Sequence, residues 1–208
     1  MLTLNAKAQR MHFETGVTYH IYNQGNNKED IFFGRGTYIY FLWKMRKYLL
    51  PYGKLISYCL MPNHFHWLFL VEYEEKPLSA LNPKSKRPEA IISLNGSIGI
   101  FLRSYAQAFN NKAGRSGVLF RPHTKAKEGC IEEFITVEHR DWSKKDYISY
   151  CFGYIHRNPL DLLQVTSRSD WEFSSFRDYA GLRNGTICDL RAGKLLWEEN
   201  EGLELDFS

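Results

Sequence analysis

Lys54-Leu55-Ile56-Ser57-Tyr58-Cys59-Leu60-Met61-Pro62-Asn63-His64-Phe65-His66-Trp67-Leu68-Phe69-Leu70-Val71 is the stretch that decides the fold. Residues that favour strands crowd Lys54 to Leu60 and His64 to Val71. Only Met61-Pro62-Asn63 separates them, so the spacing predicts an antiparallel hairpin. Strand side chains alternate faces. His64 and His66 therefore project from one face, while Phe65 points into a core on the other.

Working outward, Thr18 to Asn23 reads as a strand closed by a turn at Gln24-Gly25-Asn26-Asn27. Thr37 to Leu50 places Ile39, Leu42, Trp43, Leu49 and Leu50 near helical spacing, and Pro51 stops the run. Glu74 to Glu89, with three prolines and the cluster Lys84, Lys86 and Arg87, reads as an exposed loop. Ser93 to Asn111 repeats Leu94, Ile98, Phe101, Leu102, Tyr105 and Phe109 at helical spacing. Val118 to Lys125 is a candidate short strand, and Glu128 to Asp141 gives no decisive pattern. Ser143, with Asp146 three residues on, marks a helix start. Tyr147, Tyr150, Cys151 and Tyr154 then form one stripe before Pro159, which is expected to end the helix. Strand, helix, strand, strand, helix, strand, helix predicts an α+β domain: an antiparallel sheet covered by helices on one face, of the ferredoxin-like or RNA-recognition (RRM-like) kind. No internal repeat and no linker long enough to enforce two domains is visible.

Composition narrows the class. Among 208 residues, 44% are hydrophobic and 15% aromatic, enough apolar surface to exclude a disordered chain. Runs such as Trp67 to Val71 are too short to cross a bilayer, and the N-terminus lacks a basic-then-apolar signal pattern, so neither export nor a membrane is expected. Cys59, Cys130, Cys151 and Cys188 are widely spread, which fits a reducing cytoplasm. The charge is uneven. Lys+Arg number 27 against 23 Asp+Glu, +4 in all. From Cys188 onward two basic residues face six acidic ones, which leaves 25 against 17, or +8, on the remainder. A basic body with an acidic tail fits a polyanion partner, although charge alone is weak evidence.

Two neutral imidazoles on one strand face form a half-site for a divalent metal, whereas an isolated pair of this kind is more often a surface or hydrogen-bonded pair. Tyr154 and Asn158 lie four residues apart and so share a helix face. Asn158 offers a carbonyl oxygen to Mg²⁺ or Mn²⁺ with the Tyr154 phenol beside it. The competing reading is packing, because Tyr147 and Tyr150 mark the same helix as aromatic, but only Tyr154 has an amide one turn later.

Tyr58-Cys59-Leu60-Met61-Pro62-Asn63-His64-Phe65-His66 resembles the Y-x-L-M-P-N-H-x-H signature of single-tyrosine HUH transposases, and Tyr154-Ile155-His156-Arg157-Asn158-Pro159 resembles their nucleophile helix. Gly25-Asn26-Asn27 with Ile31-Phe32-Phe33, Phe109-Asn110 through Gly117-Val118-Leu119-Phe120, and Trp171-Glu172-Phe173-Ser174-Ser175-Phe176 before Tyr179 extend the match in order over roughly Gly16 to Gly181. The chain looks most like the REP-associated tyrosine transposase branch. Relative to compact members, segments near 74–92 and 128–141 look like insertions on a single domain spanning 1–181. Residues 182–208 look like an acidic extension.

The resemblance implies an HUH endonuclease fold and a metal-dependent single-stranded DNA endonuclease and strand transferase acting at hairpin-flanked sites. It would be a bacterial, cytoplasmic protein, nucleoid-associated when bound to DNA. His64, His66 and Asn158 would hold Mg²⁺ or Mn²⁺, and Tyr154 would form a 5′-phosphotyrosine intermediate. His156, two residues on, faces away and is expected to pack or to touch DNA. Low-specificity candidates for DNA contact are Asn26, Asn27, Arg103, Arg115, Arg121, His123, Lys125 and Lys127. The state implied is a monomer or homodimer. Two other classes compete: a non-catalytic, domesticated binder of hairpin or single-stranded nucleic acid, and a zinc hydrolase using His64, His66 and Cys59.

Overall fold

The structure, a computed structural model, describes residues 12–122, 124–128, 144–163 and 165–204. In chain order its elements are β1 (Thr18–Gln24), α1 (Gly34–Tyr48), β2 (Gly53–Met61), β3 (His64–Val71), β4 (Glu75–Pro77), α2 (Leu78–Leu81), β5 (Ile91–Ser93), α3 (Leu94–Ala113), β6 (Lys125–Glu128), α4 (Lys144–Leu163), α5 (Phe176–Tyr179) and α6 (Leu190–Glu204). The hairpin forms as its sequence predicts. β3 pairs antiparallel with β2, from Met61 opposite His64 to Gly53 opposite Val71. Its other edge pairs antiparallel with β1, where Gln24 faces His64 and Tyr22 faces His66. β6 closes the sheet in the order β2-β3-β1-β6. With α1 and α3 as the crossovers, that is the ferredoxin-like arrangement.

One face of the sheet is an aromatic core. Phe41 of α1 meets the rings of Phe65 and Trp67 of β3 and of Phe101 and Tyr105 of α3, with centroids 4.7–5.9 Å apart. The α3 stripe is buried as its spacing predicts. Ser93 Oγ caps its start by accepting from the Gly96 N–H at 3.1 Å, and Gly114 ends it in the left-handed conformation at φ 61°. In α1 the buried stripe is Tyr38, Phe41 and Met45, while Ile39 and Trp43, expected on the apolar face, are 45% and 51% exposed.

Helices cover both faces, not one. α4 and α6 pack on the face opposite α1 and α3, where Ile56, Cys59, Met61 and Leu68 meet Cys151, Phe152 and Ile155 of α4. The physical reason lies in β2 and β3, which bury apolar side chains on both faces and so need a second cover. α4 also runs through Pro159 to Leu163. A proline this close to the helix end removes one backbone hydrogen bond, and Pro159 is itself buried. The strand expected at Val118 to Lys125 lies later, at Lys125–Glu128. Phe120 makes an isolated bridge to Gly25 and Arg121 donates its N–H to the Gln24 carbonyl, but Pro122 has no N–H to continue the ladder. Glu74 to Glu89 is not wholly a loop, because β4 and β5 pair as a two-stranded ribbon from Glu75 opposite Ser93 to Pro77 opposite Ile91. Ser143 and residues 129–141 lie outside the described residues.

The outer edge of β2 is covered by residues 173–175: Leu60 donates to the Phe173 carbonyl and Ser175 to the Tyr58 carbonyl, both at 2.9 Å. Arg183 locks this segment down. Its guanidinium forks onto both carboxylate oxygens of buried Asp178 at 2.7 Å and also donates to the Glu172 and Ser174 carbonyls. Residues 182–204, which read as an acidic extension, pack onto the same body. Trp197 of α6 stacks on Tyr179 at 5.5 Å and meets Phe176 at 5.5 Å, and Asp189 donates its N–H to the Leu55 carbonyl. No helix of the described residues is long and apolar enough to cross a membrane.

Because Trp197 joins α6 to the body while keeping part of its surface, Trp197→Ala is expected to lower unfolding free energy in urea by about 2 kcal/mol, less than the 3–5 kcal/mol of a fully buried ring. An unchanged midpoint would detach α6 from the fold.

Candidate functional site

Sheet pleating and the position of α4 bring four of the sequence candidates together. Alternation along β3 puts Phe65 in the aromatic core and His64 and His66 under α4. From α4, Asn158 reaches down until its Oδ1 lies 3.0 Å from His64 Nε2. Tyr154, one turn earlier, sets its ring edge-on to His66 at 5.4 Å. Asn158 is 2% exposed, His66 is 7% exposed, and His64 and Tyr154 are half-buried.

The hydrogen bonding leaves these groups unfinished. His64 Nδ1 lies 2.6 Å from Asn63 Oδ1. A neutral ring that donates there turns a lone pair on Nε2 toward the Asn158 carbonyl oxygen, so two acceptors face each other. Burial pushes the His64 pKa down, with the Asn158 contact opposing it, and burial together with the neighbouring imidazoles of His20 and His64 pushes His66 well below the usual range. His66 Nε2 is buried and has no hydrogen-bond partner. The His64 and His66 rings lie edge-on with centroids 5.0 Å apart, so the His64–Asn158 contact and the unpartnered His66 nitrogen belong to neighbouring side chains.

Burial raises the Tyr154 phenol above its usual pKa, and a hydrogen bond from Asn158 pulls it partly back. The phenol is therefore neutral at neutral pH, and its deprotonation needs a cation or a base close by.

Sequence reading missed two residues at this site. His20 and Tyr22 alternate onto the same face of β1. His20 Nε2 lies 2.9 Å from His66 Nδ1, and Tyr22 stands opposite His66 in the β1–β3 register. The alternation of Thr18 to Asn23 signals that the two share a face, but the partner strand is set only by the sheet order.

His156 packs inside. It is 1% exposed, lies among Phe152, Phe176, Tyr179 and Trp197, and places Nε2 2.8 Å from Ser175 Oγ. It is not available to DNA. Ser175 in turn accepts from the Tyr58 N–H at 2.9 Å, so this contact ties α4 to the edge of β2. Cys59 stands opposite His66 but is fully buried, and burial pushes its thiol far above the range in which a zinc-binding thiolate forms. No group of three His, Cys, Asp or Glu side chains able to hold a metal is present among the described residues.

The other candidates fall elsewhere. Arg103, Arg115 and Arg121 line a groove of about 640 Å³ between α3 and residues 115–121, on the side of the sheet away from Tyr154. Arg103 and Arg121 are exposed, whereas Arg115 is paired with Glu29 at 2.9 Å. Asn26 and Asn27 sit in the turn after β1, held to this segment by the Asn26 N–H to the Leu119 carbonyl. The turn needs Gly25, since a Cβ there would run into the Glu29 carbonyl oxygen. Lys125 stands opposite Tyr22 and Lys127 opposite His20 in the register. His123 lies outside the described residues.

No family model and no curated protein matches the chain. Among solved structures, the chain is similar to a REP-associated tyrosine transposase bound to a REP hairpin, at 17% identity over 87% of this chain and 93% of that chain, with a TM-score of 0.49.

Burial lowers the His156 pKa to about 3, so the folded state excludes a proton that the unfolded chain binds below its usual value of 6.5. This group leaves stability unchanged at high pH and lowers it as pH falls from about 6.5 toward 3, by up to ~1.4 kcal/mol per unit. His156→Gln is expected to flatten the plot of unfolding free energy against pH between about 6 and 4 by that amount. An unaltered slope would mean that the ring is protonated in the fold.

Proposed function

We propose that this protein is a metal-dependent single-stranded DNA endonuclease and strand transferase that works through Tyr154. The observation that carries the reading is the 3.0 Å approach of His64 Nε2 to Asn158 Oδ1 beside His66, whose buried Nε2 lacks a partner and whose ring meets that of Tyr154 edge-on. The donor set fits Mg²⁺ or Mn²⁺. The 3.0 Å between His64 Nε2 and Asn158 Oδ1 is the separation of adjacent ligands in an octahedral shell with bonds of about 2.1 Å. A cation between two facing acceptors also resolves their mismatch. Three ligands and no thiolate leave positions for water and a phosphate oxygen, unlike a closed structural zinc site.

When bound, such an ion would draw negative charge from the non-bridging phosphate oxygens and orient the scissile group. The chain's own residues do the rest. Tyr154 Oη forms a bond to phosphorus as the bond from phosphorus to the 3′ oxygen breaks. The phenol proton is lost, the 3′ oxygen takes one up, and the products are a 5′-phosphotyrosine and a free 3′-OH. The ester conserves the energy of the cleaved bond, so a second strand can later be joined. The Asn158 amide, one helix turn on, opposes the rise that burial imposes on the phenol pKa. α4 places Tyr154 one turn from that amide and so sets the line of attack.

Hairpin DNA is the proposed partner, as the motif resemblance implies. The groove beside α3 offers Arg103 and Arg121 to the phosphate backbone, and Asn26 is tied by its N–H to the carbonyl of Leu119, which lines it. Base recognition would then occur on one side of the sheet and cleavage on the other, at the edge where β1 ends.

With labelled single-stranded hairpin oligonucleotides and Mn²⁺, the wild-type protein is expected to give a band of protein covalently joined to DNA. Tyr154→Phe should abolish that band while hairpin binding survives. His64→Ala and His66→Ala should each slow cleavage by about 10²–10³-fold or more, because they remove preorganised stabilisation of charge. An adduct formed by Tyr154→Phe would exclude this nucleophile. Absence of any adduct from the wild type, with hairpin binding retained, would instead favour a non-catalytic binder. Arg103→Ala and Arg121→Ala should each reduce the salt slope of hairpin binding by about 1 without changing the chemistry at Tyr154.

A further inference from the structure

His66 needs a free lone pair on Nε2 for the role above, and its own ring cannot decide which nitrogen carries the hydrogen. His66 Nδ1 lies 2.9 Å from His20 Nε2, and both rings are buried. That contact holds one proton and admits two arrangements. If His20 donates, the hydrogen of His66 sits on Nε2, where a buried N–H has no acceptor. If His66 donates from Nδ1, Nε2 keeps its lone pair. The remaining hydrogen of His20 then sits on Nδ1, which lies 3.5 Å from Tyr147 Oη and 3.6 Å from Cys151 Sγ. Both atoms can accept, although at these distances the contacts are weak. Only the second arrangement leaves no N–H buried without an acceptor.

We propose that His20 is a positioning residue that holds His66 as its Nδ1–H tautomer and thereby leaves the Nε2 lone pair free on the ring that meets Tyr154. The use of that lone pair for a divalent cation rests on the function proposed above, whereas the tautomer does not. In this role His20 acts through His66. Its ring lies nearly parallel to that of His66, at 28° with centroids 5.1 Å apart. The paired strands β1 and β3 hold the two residues diagonally, with His20 opposite Leu68 and Tyr22 opposite His66. The sheet ladder therefore fixes the spacing of the two rings, and the hydrogen bond fixes the rotation of His66.

A long-range proton–nitrogen correlation spectrum of the metal-free, full-length protein reads the tautomer of His66 directly. The wild type is expected to show Nε2 unprotonated and Nδ1 protonated. His20→Gln, which brings a carbonyl oxygen near the place of Nε2, should preserve that state. His20→Phe, which keeps the ring volume without an acceptor, should shift His66 toward the Nε2–H form. Titration with Mn²⁺ alone should follow the tautomer, with affinity about 10–100-fold weaker in His20→Phe and within about threefold of wild type in His20→Gln. A wild-type His66 protonated on Nε2 would overturn the proposal, as would a tautomer that does not respond to His20→Phe. The wild-type spectrum and the Gln variant decide the matter should the Phe variant not fold. If His66 is the Nδ1–H form and the wild type takes up no Mn²⁺, the tautomer assignment stands and the metal reading falls.

Discussion

The seating of α4 on the sheet is the constraint on which the site depends. Neither His64 nor Asn158 has chemical meaning alone. Their 3.0 Å approach exists because Cys151, Phe152 and Ile155 sink into the apolar patch made by Ile56, Cys59, Met61 and Leu68. A helix that rides on apolar packing can still slide along it, and two polar attachments limit that freedom. His156 reaches Ser175, which is hydrogen-bonded to Tyr58 on the edge of β2, while Arg183 and Asp178 pin the segment that carries Ser175. α6 closes over the same region through Trp197. The C-terminal part of the chain thus works as a clamp on the helix that presents Tyr154.

β3 makes a different contribution. It is paired on both edges and buried on both faces, so its register cannot slip by one residue without sending the histidines into the aromatic core and Phe65 into the site. The strand is rigid, and it carries unsatisfied polar atoms. An orphaned imidazole nitrogen and a pair of facing acceptors cost stability in a metal-free fold. Such costs concentrate where a protein keeps groups ready for a ligand, and here they fall on the neighbouring rings of His64 and His66.

Much of this was legible in the chain. The short connection Met61-Pro62-Asn63 gives the hairpin, alternation gives the shared face of His64 and His66, and helical spacing places Tyr154 above Asn158. The ferredoxin-like order follows from the sequence of elements. What the sequence could not reveal depends on contacts distant along the chain. Whether α4 lies with α1 and α3 or against the other face turns on both sides of β2 and β3 being apolar, a pattern that also fits a simpler sheet. His20 lies 46 residues from His66, and no local period links them. Residues 182–208 read as an acidic extension because charges dominate their composition, yet Ile187 and Cys188 pack on the core of one sheet face and Trp197 on that of the other. Pro159 reads as a helix end, but burial of its ring and the cost of one lost backbone bond leave the helix running on for another turn.

Whether His64, His66 and Asn158 share one cation beside Tyr154 is read from anomalous diffraction of crystals soaked in Mn²⁺. One strong peak is expected within bonding distance of His64 Nε2, His66 Nε2 and Asn158 Oδ1 together. Mn²⁺ bound elsewhere at saturation, with those three atoms bare, would contradict a shared site.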